Sequence, residues 1–437
     1  MPPSRRATSV TPPPRRRGRR VALALAVLAA ACHRAPPTTV DRPLLAIAGA
    51  ERLPAAFNES YVFLRATIRG RPALLLFDSG ASSSLLSTRL VRELGLAERG
   101  RRVTFGLGAT AVQASAYEGI TVTLGRAEIA VPTVLTWNDI DLPMLGKERA
   151  DGIIGADLLQ ARVVEIDWQD EVVLAWDSST VVPQRTGDEV LRLDVVQSLP
   201  VVSMRVHTRD VADSLALVVD YGSSGSMILD GSTEIARRLS PALRDLRTRR
   251  VIGVGGSVDG PEGRLDSLTA GRHVLRSPLA FLDTAGVRAV SLARADGLLG
   301  TELLRRFRLV LDYAGGRAIL RPTRRLQAPF CRNVSGICFE RTLGTSTVRI
   351  TYLEPRTPAA RAGLALGDEL LTLDGVPVTE MSDRELDLRL DIAGTMHSAE
   401  VRRGTTTTRA AAPTPPSARG RAAPPRPPIT MTVRWRV

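Results

Sequence analysis

Apolar residues between positions 56 and 322 occur in short continuous or alternating runs, which is typical of strands. The runs at 73–77 and 215–219 are continuously apolar, as expected of strands that are buried on both faces. A turn and an earlier strand precede each run, which predicts a hairpin. Short helices are predicted at 87–96 and 232–239. The pattern therefore predicts a mainly β protein with a few short helices.

These elements occur twice. The segment ALLLFDSGASSSLLS (73–87) corresponds to LALVVDYGSSGSMIL (215–229), and RADGIIGADLLQARVVEIDW (149–168) corresponds to RADGLLGTELLRRFRLVLDY (294–313). The second copy starts 142 residues after the first in one pair and 145 residues after it in the other. Matching text at a near-constant spacing indicates an internal repeat. We expect a duplicated unit of about 120–140 residues, folded as two similar lobes.

The net charge of +14 does not indicate nucleic-acid binding, because the charge lies at the two ends. Residues 1–34 and 402–437 each hold eight Arg and no acidic residue, so removing these sixteen charges leaves about −2 for the middle. Basic ends of this kind say little about what the folded part binds. The four His are scattered without a cluster of ligands. No metal site and no cofactor is expected.

The N-terminus has the organisation of an export signal. A basic stretch at 15–20 precedes an apolar stretch at 21–31, which is short for a membrane span. Small residues then lead to Cys32, as in a bacterial lipoprotein cleavage box, although Ala29 stands where Leu is usual. We expect lipidation at Cys32 and anchorage in the cell envelope or periplasm. An ordinary cleaved signal and an uncleaved anchor remain alternatives.

Two further cysteines, Cys331 and Cys338, lie close together in the chain. Disulfides persist in the oxidising compartments that exported proteins reach. A small disulfide loop is therefore one interpretation of this pair, and two buried thiols are the other.

The repeat places one Asp-x-Gly loop in each lobe, with Asp78 in the first and Asp220 in the second. If the lobes pack face to face, the two carboxyl groups meet near a pseudo-twofold axis. Like charges so close cannot both ionise, and the pair shares a proton. One carboxylate can then activate water while the other donates a proton to a peptide carbonyl. The expected chemistry is metal-free hydrolysis of polypeptides.

The motif FDSGAS with the downstream DGIIG resembles the signature of aspartic proteases, and the bacterial retropepsin-like proteases are the most similar group. The resemblance covers about residues 56–322 and implies two β-barrel lobes with Asp78 and Asp220 as the catalytic pair. It also implies supporting roles for several residues. These are Ser79, Gly80 and Gly222, which shape the loops; Gly155 and Gly300, which support them from behind; and Tyr117, the flap tyrosine of a substrate-covering segment at 103–125.

Tyr221 departs from the family pattern, because a small hydroxyl residue usually follows the second aspartate. The hydroxyl brace between the loops cannot form in the usual way on that side, and a bulky ring could tilt Asp220 or fill the cleft. One alternative function is therefore a decayed protease fold that binds peptides or acts as a scaffold. Another is a dimer that pairs two intact first lobes around Asp78. A third is an unrelated exported β protein.

After residue 323 the sequence resembles a PDZ domain, most specifically in PAARAGLALGDELLTLDG (358–375). A groove helix is expected at 383–391. The resemblance implies that a loop captures the C-terminal carboxylate of a peptide, which adds to the sheet as a strand. A module that binds nothing is the alternative. The loop positions are Gly336, Ile337, Cys338 and Phe339.

The expected organisation is mainly β, with two aspartic-protease-like lobes and an α+β PDZ domain, in an exported endopeptidase. The expected boundaries are 1–32 for the signal peptide, 33–55 for a linker, 56–180 and 185–323 for the lobes, 330–405 for the PDZ domain, 406–428 for a Pro/Ala/Arg-rich linker and 429–437 for a final strand.

Overall fold

The computed structural model describes residues 49–58, 60–106, 111–136, 142, 144–145, 148–254, 256–284, 286–331, 335–341, 347–353, 357–381, 383–390, 395–403 and 429–436. Cys32, with the whole expected signal segment, and the Pro-rich linker at 406–428 lie outside these residues. No helix in the described part of the chain has the length and apolar character needed to cross a membrane.

Lobe 1 consists mainly of strands, with two short helices, α1 Thr88–Glu93 and α2 Ala156–Ala161. Its strands are β1 Glu51–Leu53, β2 Ala55–Phe57, β3 Val62–Ile68, β4 Arg71–Phe77, β5 Leu85–Leu86, β6 Glu98–Thr104, β7 Val112–Tyr117, β8 Ile120–Leu124, β9 Ala127–Val131, β10 Val134–Thr136, β11 Met144–Leu145, β12 Glu148–Arg149, β13 Gly152–Ile154, β14 Arg162–Asp167 and β15 Val172–Asp177.

Lobe 2 repeats this plan with the helices α3 Glu234–Leu239, α4 Arg288–Leu292 and α5 Thr301–Leu304. Its strands are β16 Glu189–Val196, β17 Leu199–His207, β18 Ala212–Val219, β19 Met227–Asp230, β20 Arg244–Gly253, β21 Gly256–Arg264, β22 Ser267–Ala270, β23 His273–Arg276, β24 Leu279–Asp283, β25 Gly297–Leu299, β26 Phe307–Asp312 and β27 Arg317–Pro322.

The C-terminal module has the helices α6 Pro358–Arg361 and α7 Asp383–Leu390. Its strands are β28 Ile337–Arg341, β29 Val348–Leu353, β30 Glu369–Leu373, β31 Val376–Pro377, β32 Met396–Arg403 and β33 Ile429–Arg436. The expected final strand is confirmed, because β33 pairs with β32 along its whole length and completes the sheet.

The boundary expected at residue 56 is wrong. Strand β1, within the expected linker at 33–55, pairs antiparallel with β15. Leu53 is buried in the core that lobe 1 shares with lobe 2. An apolar residue buried in this way contributes to stability, so lobe 1 starts at β1.

Both lobes use the same local topology to hold their Asp-x-Gly loops. In lobe 1, β13 lies parallel to β4 and antiparallel to β5. In lobe 2, β25 lies parallel to β18 and antiparallel to β19. The strand that precedes each aspartate is therefore flanked by a strand from the far end of the same lobe. This explains why the paired motifs of the repeat lie far apart in sequence.

The lobes share one sheet, in which β14 pairs antiparallel with β26. A buried ionic network lies on this sheet. Arg321 donates to Glu165 at 2.5 Å and to Asp188 at 3.1 Å, and Arg308 pairs with Asp167. Buried charges are tolerated only when they are paired in this way. The network therefore favours one arrangement of the two lobes.

A strap of residues 324–331 connects lobe 2 to the C-terminal module. Arg306, only 3% exposed, donates to the backbone oxygens of Arg325, Ala328 and Pro329 in this strap. Its guanidinium lies 3.5 Å from the centroid of the Phe330 ring. The strap is therefore docked on lobe 2 by a buried cation.

Candidate active site

Asp78 and Asp220, the residues that follow β4 and β18, meet at the interface of the lobes. Their carboxyl groups share a hydrogen bond. The Gly80 N–H donates to Asp78 Oδ1 at 2.8 Å, and the Gly222 N–H donates to Asp220 Oδ1 at 2.8 Å. The two loops thus have the same internal geometry, as the repeat predicts. The structure brings the two predicted aspartates together within one chain, so the site does not require a second copy.

Each loop glycine packs against the carboxyl group of the other loop. A Cβ on Gly80 would lie 2.4 Å from Asp220 Oδ1, and a Cβ on Gly222 would lie 2.3 Å from Asp78 Cγ. Real Cβ atoms do not approach other atoms so closely, and the crowding atoms belong to the pair itself. Glycine at these positions is therefore what allows the carboxyl groups to approach each other.

The environment raises the pKa of both carboxyl groups. Asp220 is 8% exposed, and burial together with the adjacent charge of Asp78 holds its pKa well above the usual range. Burial also raises the pKa of Asp78, but bonds from Asp220 and from the N–H groups of Gly80 and Ala81 oppose that rise. Two buried carboxyl groups this close therefore hold one proton between them, and one of the pair stays ionised.

Ser79 forms a brace between the loops. Its hydroxyl donates to the backbone oxygen of Val219 at 2.6 Å and accepts from the Tyr221 N–H at 3.0 Å. Ser79 is fully buried, so both bonds lie away from water, where breaking them would leave unpaired polar groups. One serine therefore ties its own loop to both sides of Asp220.

Tyr221 neither fills the cleft nor displaces Asp220. Its side chain is 0% exposed and packs in the shared core, with its ring centroid 5.6 Å from that of Phe77. Its hydroxyl has no hydrogen-bond partner among the described residues. Burial and the nearby charge of Asp167 raise the pKa of Tyr221. The loop thus keeps its backbone geometry, and an aromatic contact stands where the family pattern has a second hydroxyl residue.

Gly155 and Gly300 lie directly behind the two loops. A Cβ on Gly155 would lie 2.3 Å from the backbone oxygen of Ala81, and a Cβ on Gly300 would lie 2.2 Å from that of Gly225. Both glycines therefore occupy the supporting positions that the sequence predicted, because only a residue without a side chain fits there.

Comparisons with known proteins agree with this geometry. Residues 64–158 and 205–303 match the aspartyl protease family model, and residues 349–386 match a PDZ domain model. The two lobes have an aspartic-protease-like fold. A PDZ domain follows them. Among solved structures, the aspartic proteinase from Irpex lacteus is similar with 16% identity and a TM-score of 0.41, over 64% of this chain and 99% of that one. No curated protein matches the chain.

Each aspartic-protease-like lobe carries a long hairpin, and the two hairpins approach each other at Gly106 and Val254. The hairpin of lobe 1 is β6–β7, and that of lobe 2 is β20–β21. A Cβ on Gly106, near the first tip, would lie 2.4 Å from Val254 Cβ at the second tip. The expected flap therefore exists as a hairpin, and a second hairpin contacts it.

The assignment of Tyr117 as the flap tyrosine is wrong. Tyr117 ends β7 and pairs with Glu98 at the base of the hairpin, away from the tip. Its ring packs against the main hydrophobic core. Strand register, rather than aromatic character, decides which residues reach the tip of a hairpin.

A different tyrosine lies at the dyad. Tyr61, just before β3, lies within electrostatic reach of Asp220 and Asp78. Burial raises the pKa of Tyr61, and the two neighbouring carboxyl groups raise it further. The sequence contains no signal for this residue, because its position near the dyad exists only once the lobes have packed.

The PDZ domain holds the predicted disulfide, Cys331–Cys338. Of the four expected carboxylate-loop residues, only Gly336 lies outside a strand; it follows the turn at Ser335 and has φ of 71°. Ile337, Cys338 and Phe339 already belong to β28, where Ile337 is buried in the core of the domain. The expectation of a four-residue loop is therefore corrected to a turn followed by an edge strand.

The described residues contain no group of three or more His, Cys, Asp or Glu side chains arranged to hold a metal ion. The polar groups with hydrogen bonds at the dyad include the two carboxyl groups, the Ser79 hydroxyl group and the backbone amides of Gly80 and Gly222.

Proposed function

We propose that the chain is an aspartic-type endopeptidase. The observation that supports this most strongly is the hydrogen-bonded pair of Asp78 and Asp220, each carboxyl group held against the opposite loop glycine. Such a pair can hold one proton between two buried oxygens, which is what acid–base hydrolysis without a covalent intermediate requires. The two aspartic-protease-like lobes match the same class of chemistry.

In the proposed mechanism, ionised Asp78 accepts a proton from a water molecule as the water oxygen attacks the peptide carbonyl carbon. Protonated Asp220 donates its proton to the carbonyl oxygen, which gives a tetrahedral diol. Collapse of the diol breaks the C–N bond: the proton held by Asp78 passes to the leaving amine, and one diol hydroxyl gives its proton back to Asp220, which leaves a carboxylic acid product and the starting dyad. The raised pKa of both carboxyl groups supports a pair that carries one proton, and the proposal assigns that proton to Asp220.

The test is cleavage of a denatured protein between about pH 3 and pH 7 by the wild-type chain and by Asp78→Asn and Asp220→Asn. Asp194→Asn is the matched control, because Asp194 has a side chain that is 52% exposed. We expect both dyad variants to lose cleavage and the control to retain it. Loss with Asp78→Asn alone would favour a dimeric or non-standard site. Absence of cleavage by the wild-type chain at every pH would favour the peptide-binding scaffold.

We also propose that the PDZ domain binds the C-terminal segment of a polypeptide beside β28. Within the described part of the domain, β28 forms the edge of the sheet and pairs only with β29. An open edge can accept a peptide as an added strand. The Ser335 N–H, just before Gly336, donates to the backbone oxygen of Leu390 at the end of α7, which keeps the turn beside the helix. Peptides with a free C-terminal carboxylate should bind more tightly than their amidated forms in a fluorescence titration.

Export and anchorage through a lipid on Cys32 complete the proposal. The support is the N-terminal charge and apolar pattern, together with the Cys331–Cys338 disulfide, since disulfides persist mainly in oxidising compartments. Metabolic labelling with a radioactive fatty acid should mark the wild-type chain and not Cys32→Ser. Equal labelling of both chains would remove the anchor from the proposal.

A further inference from the structure

Helix α5 holds the loop that carries Asp220 through backbone hydrogen bonds. The Thr301 N–H donates to the backbone oxygen of Ser223 at 2.7 Å, and the Glu302 N–H donates to that of Gly225 at 3.1 Å. Both donors lie in the first turn of α5, and both acceptors follow Asp220 in the same loop. The position of α5 therefore sets the position of this loop.

The corresponding helix of lobe 1 is tied to its own loop by side chains as well. Asp157, in α2, accepts from the Ser84 N–H at 3.0 Å and from the Ser84 hydroxyl at 2.6 Å. The counterparts in lobe 2 are Glu302 and Ser226. The buried hydroxyl of Ser226 has no hydrogen-bond partner among the described residues, and Glu302 pairs with Arg306 at 3.1 Å. The acidic side chain of the helix thus contacts its loop in lobe 1 and a cation in lobe 2.

Arg306 joins α5 to the strap of residues 324–331. Its guanidinium bonds Glu302 on one side and three backbone oxygens of the strap on the other, and it lies over the ring of Phe330. Arg306 is nearly fully buried, so its charge depends on these partners. Ala161 stands at the corresponding position of lobe 1, where the side chain is too short for such contacts. The link between helix and strap therefore belongs to lobe 2.

We propose that Arg306 is a positioning residue, which holds α5 against the docked strap and thereby fixes the loop of Asp220. The consequence for catalysis rests on the proposed peptidase function. The strap, Arg306 and α5 form a contiguous path of bonded groups, along which a displacement can reach the dyad. Removal of the cation leaves Glu302 without this partner and allows α5 to shift. Because Arg306 acts through α5 and not on the substrate, the effect falls on kcat.

The experiment compares Arg306→Leu and Glu302→Ala of the full chain with the wild type. Arg192→Leu is the matched control, because the Arg192 side chain is 84% exposed in its ion pair and such pairs contribute little. Hydrogen–deuterium exchange followed by mass spectrometry reports the protection of backbone amides segment by segment. This measurement needs no cleavage activity.

The proposal predicts a local change in the second loop. Amides of 220–226 should exchange about tenfold faster in both variants, as expected from the loss of one charge-assisted hydrogen bond. The equivalent loop of lobe 1, 78–84, should change less than about twofold. At 324–331, exchange should rise in Arg306→Leu and not in Glu302→Ala, where Arg306 keeps its bonds to the strap. Arg192→Leu should match the wild type throughout.

Cleavage kinetics test the consequence for the reaction. In both variants kcat should fall about tenfold with KM changed less than about twofold. Arg306→Lys should recover part of kcat, since its ammonium group retains the pair with Glu302. An inactive wild-type chain would contradict the peptidase function, and the exchange result would still show whether Arg306 holds the loop.

Two results would overturn the proposal. One is unchanged exchange at 220–226 in both variants. The other is an equal rise at 78–84 and 220–226, which would mark a general loss of stability. If Arg306→Leu does not fold, the same two results in Glu302→Ala apply, since that variant leaves the strap docked.

Discussion

The ring of Tyr221 packs 5.6 Å from the ring of Phe77, so the residues on either side of the dyad touch across the lobes. Phe77 immediately precedes Asp78, and Tyr221 immediately follows Asp220. Ser79 supplies a polar brace from lobe 1 to lobe 2, and this aromatic pair joins the same two loops through the core. The Ser79 hydroxyl and the Tyr221 ring therefore brace the two loops in different ways. Together they keep both carboxyl groups in place.

This contact predicts that Tyr221→Phe is tolerated and Tyr221→Thr is not. The hydroxyl has no partner in the described residues, so removing it should change the free energy of unfolding by less than about 1 kcal/mol. Replacing the ring by threonine removes a fully buried aromatic and should cost about 3 kcal/mol. Urea denaturation of both variants checks this. Threonine giving a more stable and more active chain would contradict the aromatic brace.

The close packing of the dyad predicts that Gly80→Ala and Gly222→Ala abolish the proposed peptidase activity. Each added methyl group would collide with the opposite carboxyl group, and separating the carboxyl groups by about 1 Å should lower kcat/KM by about 100-fold. Gly225→Ala is the matched control in the same loop, because a Cβ there meets nothing within 4 Å. Full activity in Gly80→Ala and Gly222→Ala would show that the carboxyl groups need not be so close.

The dyad, its glycines and the supporting glycines were predictable from the sequence, because each lies in a motif that the duplication repeats at a near-constant spacing. The final strand was predictable too, since an alternating pattern indicates a strand wherever it occurs. The position of Tyr61 near the dyad was not predictable, because no repeat or motif in the sequence marks residues that come together only when the lobes pack. The assignment of Tyr117 failed for a related reason: composition does not reveal hairpin register. The aromatic role of Tyr221 required knowledge of its neighbour across the interface.

The raised pKa of Asp220 predicts that the difference in stability between the Asp220→Asn variant and the wild type depends on pH. A carboxyl group whose pKa is higher in the folded state stabilises the fold most below its unfolded pKa, and this contribution is lost as pH rises through the folded pKa. Asp220→Asn removes the titration, so its Tm relative to wild type should rise from pH 4 to pH 7.5. The exposed Asp259 provides the control variant Asp259→Asn. A Tm difference that is the same at both pH values would contradict a raised pKa of Asp220 in the folded chain.

The docking of the strap on lobe 2 predicts that Arg306→Leu releases residues 324–331. Arg306 satisfies three backbone oxygens of the strap and pairs with Glu302 at 3.1 Å. Removing a buried charge that has such partners should cost about 3 kcal/mol of unfolding free energy.

Release of the strap would also open the peptide bonds after Arg324 and Arg325 to trypsin, which limited proteolysis followed by mass spectrometry detects. Arg192→Leu is the control, because the Arg192 side chain is 84% exposed and its exposed ion pair contributes little. Faster cleavage at these two bonds in Arg306→Leu alone would support a strap held chiefly by this cation. An unchanged digestion rate with an unchanged Tm would mean that other contacts, such as the bond from Arg264 to the Phe330 backbone oxygen at 3.1 Å, hold the strap without it.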